Sequence, residues 1–261
     1  MESITELSEI LCVIDPLTMP EASALEKLRT GEIKLKGEFL WGSNYTYLVE
    51  IEHPGETIQA VYKPTRGERP LWDFPPASLA RREVAAYLVS EALGWHLVPP
   101  TVYRKKGPLG PGSVQLFIEH DPEYHYFHFS PDDLQRLRPT VLFDLLVNNA
   151  DRKGSHVLKD QTGRLWLIDH GICFHIEEKL RTVIWDFMGE PIPVELCQAL
   201  STFLAQLDFN GSDYSSLASG LLEYISLTEV RALSRRGKDL LEQPVFPAPD
   251  PYRRPYPWPQ I

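Results

Sequence analysis

Asn148-Asn149-Ala150-Asp151-Arg152-Lys153-Gly154-Ser155-His156, followed by Leu167-Ile168-Asp169-His170-Gly171, is the stretch on which the reading of this chain turns. Each aspartate closes an apolar segment: Asp151 follows Val141-Leu142-Phe143-Asp144-Leu145-Leu146-Val147, and Asp169 follows Leu165-Trp166-Leu167-Ile168. A carboxylate beside such elements is costly to bury unless it is paired or holds a metal. Taken singly, Asp151 reads as a loop or capping residue and Asp169 as a turn before Gly171. Together, in this order and spacing, they are the pair that phosphoryl transfer asks for. One carboxylate stands near an attacking group and the other holds a metal on the phosphates. Arg152 and Lys153 offset charge locally.

Working outward, residues 130–148 read as a helix with Ser130 as N-cap and Pro131 in the first turn. Residues 157–159 and 165–168 read as a hairpin around Asp160-Gln161-Thr162-Gly163. Helices are predicted over 194–206 and 226–242, with a less regular one over 214–224. The proline-dense stretch 244–259 is expected to be extended. Upstream, residues 3–11 form a short helix by pattern, with Ser3 and Glu6 spaced as a capping box, and a second helix over 21–30 stops at Gly31. Three strands follow, 33–41, 45–52 and 57–63, then a proline-rich loop and a helix over 77–93 that closes at Gly94. Residues 98–103 and 113–119 read as two further strands. A β-rich half thus precedes an α-rich half, an α+β arrangement of two lobes with a cleft between them. The divisions expected are a helical segment over 1–30, an N-lobe over 31–119, a C-lobe over 120–243 and a proline-rich tail over 244–261.

The 261 residues, 43% hydrophobic and 24% charged, describe an ordinary globular protein with room for a sizeable core. A formal net charge of −10 argues against broad binding to nucleic acid or anionic membrane. Cys12, Cys173 and Cys197 are widely spaced and odd in number, so they suggest neither a disulfide framework nor a zinc ribbon. With no secretion signal and no apolar segment long enough to span a bilayer, a cytoplasmic location and no integral membrane contact are expected.

Lys63 ends a strand, in Ala60-Val61-Tyr62-Lys63-Pro64, and Glu83 lies on the helix that follows. A lysine at the mouth of a sheet reaches phosphate oxygens when an acid on a neighbouring helix orients it. The plain alternative is a surface lysine and a solvated helix face. Gly42-Ser43-Asn44 joins two strands and is small enough for backbone N–H groups to approach a phosphate, although a simple hairpin turn has the same composition. The strand ending Gln115-Leu116-Phe117-Ile118-Glu119 leads into the α-rich half and offers backbone groups to a base at the lobe boundary, unless it is a structural link alone.

With those residues in place, the segment from Gly31 to Arg181 resembles the bacterial phosphatidylinositol 3-/4-kinase-like proteins, an atypical protein-kinase-like fold related to HipA-type and secreted Golgi kinases. The resemblance implies a bilobal kinase fold with a β-rich N-lobe and a mainly α-helical C-lobe, and ATP-dependent phosphotransfer with Mg²⁺ or Mn²⁺. It implies that Lys63 contacts ATP phosphates, that Glu83 pairs with it, and that Asp151 is the catalytic aspartate. It implies further that Asp169 binds the metal and that residues 115–119 reach the adenine hinge. His170 stands where Asp-Phe-Gly has phenylalanine. His156 stands five residues after Asp151, where many relatives have a metal-binding asparagine. An imidazole ligates metal when neutral, whereas Mg²⁺ prefers oxygen. His156 is therefore expected to bind Mn²⁺, to contact a phosphate, to leave a single-metal site, or to mark reduced activity.

The acceptor implied is a hydroxyl on a protein, a metabolite or a lipid head group. Two relatives of this reading stay open: a nucleotide-binding regulatory module without transfer, and nucleotidyl transfer on the same fold. A third, from another class, is a metal-dependent hydrolase using Glu119, His120, Asp121, Glu123, His125 and His128. The tail either binds a protein partner or, through Tyr252, Tyr256 and Trp258, packs along the α-rich half.

Overall fold

Residues 21–39, 45–208 and 214–261 are described by a computed structural model of the chain. The expected helix over 3–11, the end of the first strand and the Gly42-Ser43-Asn44 turn lie outside them. Helix α1 (Glu21–Thr30) is followed by strands β1 (Glu32–Glu38), β2 (Tyr47–His53) and β3 (Glu56–Pro64), helix α2 (Leu79–Ala92), and strands β4 (Thr101–Arg104) and β5 (Gly112–Leu116). The strands form one antiparallel sheet in the order β1-β2-β3-β5-β4. Alternation sets its inner face, with Val49 and Ile51 of β2 and Ile58, Ala60 and Tyr62 of β3 buried together with Val114 of β5. Ala24 and Leu28 of α1 cover that face, so α1 packs as part of the N-lobe.

The second half contains α3 (Pro131–Gln135), α4 (Arg138–Val147), the hairpin β6 (Val157–Lys159) and β7 (Leu165–Leu167), then α5 (Val194–Gln206), α6 (Ser216–Leu222) and α7 (Leu227–Glu242). Ser130 caps α3 as expected, its Oγ accepting the Asp133 N–H at 3.2 Å. The single helix predicted over 130–148 is two helices. Pro139 has no N–H for the Gln135 carbonyl, and its ring would clash there. The Arg138 guanidinium takes that carbonyl instead, at 3.1 Å.

Two packing relationships position the site. The β6–β7 hairpin faces both cores: Leu158 and Trp166 join the cluster under the N-lobe sheet, while Val157, Leu165 and Leu167 join the larger C-lobe cluster. Helix α2, although flanked by N-lobe strands in sequence, buries Ala85, Ala86, Tyr87 and Val89 in the C-lobe cluster. The tail packs along the C-lobe. Phe246 is buried against Phe187, Pro191 pairs with Val245, the Pro255 carbonyl accepts the Thr182 N–H at 3.0 Å, and the Gln260 carbonyl accepts the Gly154 N–H at 2.8 Å. Among the described residues no helix is long and apolar enough to cross a membrane.

Candidate active site

Lys63, near the end of β3, projects between the lobes. Its Nζ lies 2.6 Å from Glu83 Oε1 on α2 and pairs on its other side with Asp169 Oδ1. Glu83 uses its second oxygen as well: Oε2 accepts the His170 backbone N–H at 2.9 Å. One buried carboxylate therefore holds both the sheet's lysine and the backbone of the Asp-His-Gly segment. A Cβ on Gly171 would lie 3.3 Å from the Leu79 Cβ, so the segment passes α2 at close range. Burial opposes charge on Lys63, yet the Asp169 and Glu83 carboxylates push its ammonium above the ordinary lysine value. Asp169 adopts φ +60°, a left-handed conformation uncommon outside glycine, asparagine and aspartate, which aims its carboxylate across the cleft. Its Oδ2 lies 3.1 Å from His156 Nε2. Against the effect of burial, Lys63 and His156 hold the Asp169 carboxyl well below the usual range. The Lys153 N–H approaches His156 Nδ1 at 3.4 Å, which leaves Nε2 to carry the proton facing Asp169.

Asp151 is set by a buried scaffold. Its N–H donates to Asn149 Oδ1 at 2.9 Å, and Asn149 Nδ2 donates to Asp144 Oδ1 at 3.0 Å. Asp144 takes a two-pronged bond from Arg152, Nε at 2.8 Å and Nη2 at 2.9 Å. The remaining Arg152 donor, Nη1, reaches the carbonyls of His156 and Ile168 at 3.1 and 3.0 Å, tying both aspartate-bearing segments to one guanidinium. Arg152 Nη2 also lies 2.9 Å from His170 Nε2, which must accept; burial first, then Arg152, keeps this imidazole neutral. Asn148, in the left-handed region at φ +56°, ends α4 and turns the chain back. Burial pushes the Asp151 carboxyl up, with His156 and Lys153 opposing.

The structure thus brings together Lys63, Glu83, Asp169 and His156, with Asp151 on the adjoining loop. Of the expected hinge, Gln115 directs its side chain away to Thr101 Oγ1 at 2.8 Å, and its backbone lies within the sheet between β3 and β4. Phe117 N–H extends the sheet pairing to Gln59 at 3.0 Å, Ile118 is buried with its carbonyl on His120 Nδ1 at 2.8 Å, and Glu119 is exposed. The sequence reading missed Asp144, Asn149 and the structural role of Arg152. The signal available was an acid inside an apolar helix with an arginine eight residues on.

The histidine-rich segment does not assemble as a metal site. His120 faces Asp160 across an isolated bridge, while His125 stacks on His128 at 4.5 Å. Among the described residues the compact His/Asp/Glu group is a different one, Glu21 with Glu91 and His96. The hydrolase reading lacks its ligand set. Cys173 is buried and its thiol is pushed well up by burial, which suits packing.

No protein-family model matches the chain. The protein Rv2133c of Mycobacterium tuberculosis is 39% identical over 267 residues, covering 89% of this chain and 93% of that protein. This chain belongs to the family of Rv2133c. Phosphatidylinositol 4-kinase gamma 4 of Oryza sativa subsp. japonica is 26% identical over 186 residues, 58% of this chain but 32% of the kinase, so the chain spans about a third of that relative. Among solved structures, the Golgi casein kinase with Mn/ADP bound superposes with a TM-score of 0.54 at 16% identity, covering 85% of this chain and 74% of that one. Hydra Fam20 with sugar superposes at 0.56 and 15%, covering 85% and 88%. The Helicobacter pylori proinflammatory kinase CtkA gives 0.50 and 12%, covering 84% and 94%. These likenesses establish a kinase-like α+β fold.

Proposed function

We propose that this chain is an ATP-dependent phosphotransferase of the phosphatidylinositol 3-/4-kinase-like kind that moves the γ-phosphate to a hydroxyl acceptor. The observation that carries it is the linked set Lys63, Glu83, His170 N–H and Asp169, which spans both lobes and leaves a cation and a carboxylate at one cleft. The partial match to a phosphatidylinositol 4-kinase and the likeness to a kinase holding Mn/ADP support the same reading.

In this reading Lys63 takes phosphate oxygens and Glu83 holds it in place. Asp151 orients the acceptor hydroxyl and receives its proton late in transfer, as its raised carboxyl and its place beside the cleft allow. Asp169 would supply oxygen and His156, once its Nε2 proton is given up, nitrogen, a mixed donor set that fits Mn²⁺ at least as well as Mg²⁺. A divalent cation held there would neutralise phosphate charge. The acidic chain disfavours an anionic lipid surface and favours a protein or metabolite acceptor.

A second reading, nucleotide binding without transfer, draws on the His156–Asp169 contact, which occupies one oxygen of the metal-binding carboxylate. ATP labelled separately at the α- and γ-phosphates separates the two. Transfer of γ-label that is lost in D169A and D151N supports phosphotransfer, α-label transfer points to nucleotidylation, and stabilisation by ATP without transfer across a panel of hydroxyl acceptors supports the binding module. Absence of ATP binding overturns all three.

A further inference from the structure

Arg82 and Glu83 are neighbours on α2 and do opposite things. Glu83 faces the cleft and holds Lys63 and the His170 N–H. Arg82 is fully buried on the C-lobe side, although nearly all arginines keep their guanidinium near water. Its Nη1 donates to the Cys173 carbonyl at 2.6 Å, two residues beyond Gly171, and its Nη2 pairs with Glu229 Oε1. Its Nε lies 3.4 Å from Ser78 Oγ, and its planar face lies 4.8 Å from the Phe74 ring centroid. Glu229 is equally committed. It sits in the first turn of α7, where its Oε2 accepts the Ser226 N–H at 2.8 Å and the Ser226 hydroxyl at 2.7 Å, completing a capping box. Swinging α2 away from the C-lobe would strand two buried charges.

We propose that Arg82 and Glu229 are positioning residues of the nucleotide site: their buried ion pair fixes α2 on the C-lobe so that Glu83 stays turned toward Lys63 and His170. This rests on the phosphotransferase reading for its functional meaning, but the geometry stands without it. The packing of α2 agrees, since Ala85, Ala86 and Val89 lie in the C-lobe cluster while the helix also lies against β4 and β5, so the ion pair acts where α2 bridges the two lobes. Burial opposes charge on the Glu229 carboxyl, and Arg82 nonetheless holds it below its ordinary value.

A double-mutant cycle tests it on the full chain, using R82M, E83Q and R82M/E83Q, with R82K as the conservative variant. Two quantities are read: amide hydrogen exchange over residues 168–174 without nucleotide, and affinity for Mn²⁺·ADP. R82M is expected to speed exchange in 168–174 and to weaken Mn²⁺·ADP by about tenfold, within the range of couplings between contacting residues. R82K retains most of the protection. Because Arg82 acts through Glu83, the double variant binds no more weakly than E83Q alone. Losses that multiply in the double variant, or a folded R82M with unchanged exchange and affinity, overturn the proposal. If R82M does not fold, E229Q takes its place with the same two outcomes. A wild-type chain that does not bind Mn²⁺·ADP defeats the phosphotransferase reading, and the exchange measurement then decides the ion pair by itself.

Discussion

Glu83 and His170 are joined side chain to backbone, Oε2 of the carboxylate accepting the His170 N–H at 2.9 Å while Oε1 takes Lys63 at 2.6 Å. A glutamine has one acceptor where this position needs two, and its NH₂ would face a donor on whichever side it turned. In E83Q, γ-phosphate transfer from labelled ATP is expected to fall by roughly 10²–10³-fold, the scale for losing one preorganised electrostatic contact. Unchanged transfer would remove Glu83 from the machinery.

On the proposed reading, Asp151 acts in transfer and not in nucleotide binding. Its carboxylate stands on the loop after α4, and its position is fixed through its backbone N–H and Asn149, which D151N leaves intact. Transfer in D151N is expected to drop by roughly 10²–10⁴-fold, the usual worth of a proton acceptor. Calorimetry with Mn²⁺·ADP should show retained affinity. Lost affinity would instead place Asp151 among the nucleotide contacts.

On the proposed reading, His156 sets metal preference. Replacing its nitrogen beside Asp169 with the amide oxygen of asparagine makes the donor set harder. The ratio of Mg²⁺-supported to Mn²⁺-supported binding of ADP should rise in H156N. An unaltered ratio would mean that the imidazole serves to orient Asp169 and does not meet the ion.

Asp144 and Arg152 are both buried, and Arg152 carries the carbonyls of His156 and Ile168 as well. D144A leaves a buried guanidinium unpaired and is expected to cost about 3–5 kcal/mol in chemical denaturation. D144L/R152M, which removes both charges, should recover part of that loss. A double variant no more stable than D144A would show that the carbonyl contacts of Arg152 matter more than its charge.

Asp133 gives the chain an acid-sensitive joint. Burial would raise its carboxyl, but Lys159 at 2.7 Å, Tyr124 at 2.7 Å and Ser130 at 3.1 Å bring it down to about 2 from the ordinary 3.8. A depressed carboxylate stabilises the fold above its unfolded pKa and loses that contribution as pH falls through the folded one. D133N should be less stable than wild type by on the order of 2 kcal/mol at pH 7. The gap should close as pH falls from 3.8 toward about 2. A gap that stays constant over that window would assign the effect to packing.

What could be read from the residues alone followed their local periodicity. Alternation in Val49, Ile51, Ile58 and Ala60 marks two strands, and Lys63 and Glu83 are found where strand and helix patterns place them. The attachment of α2 to the C-lobe was not legible, because the helix is buried on nearly every side and its apolar pattern does not say which lobe covers which face. The Asp144–Arg152 pair depends on the left-handed turn at Asn148, a backbone event that spacing does not announce. The break before α4 was written in Pro139, and the apolar run after it outweighed that signal.

The contact between Gln260 and Gly154 ties the loop of Asp151 to residues made roughly 110 positions later. At typical synthesis rates that interval is roughly 5–20 s. During it the ribosome carries a chain whose Gly154 N–H still waits for its acceptor, so the Asp151 loop reaches its full set of bonds only after residue 260 has emerged. The backbone that carries Asp151 is therefore among the last parts of the fold to be completed, whichever order the lobes close in.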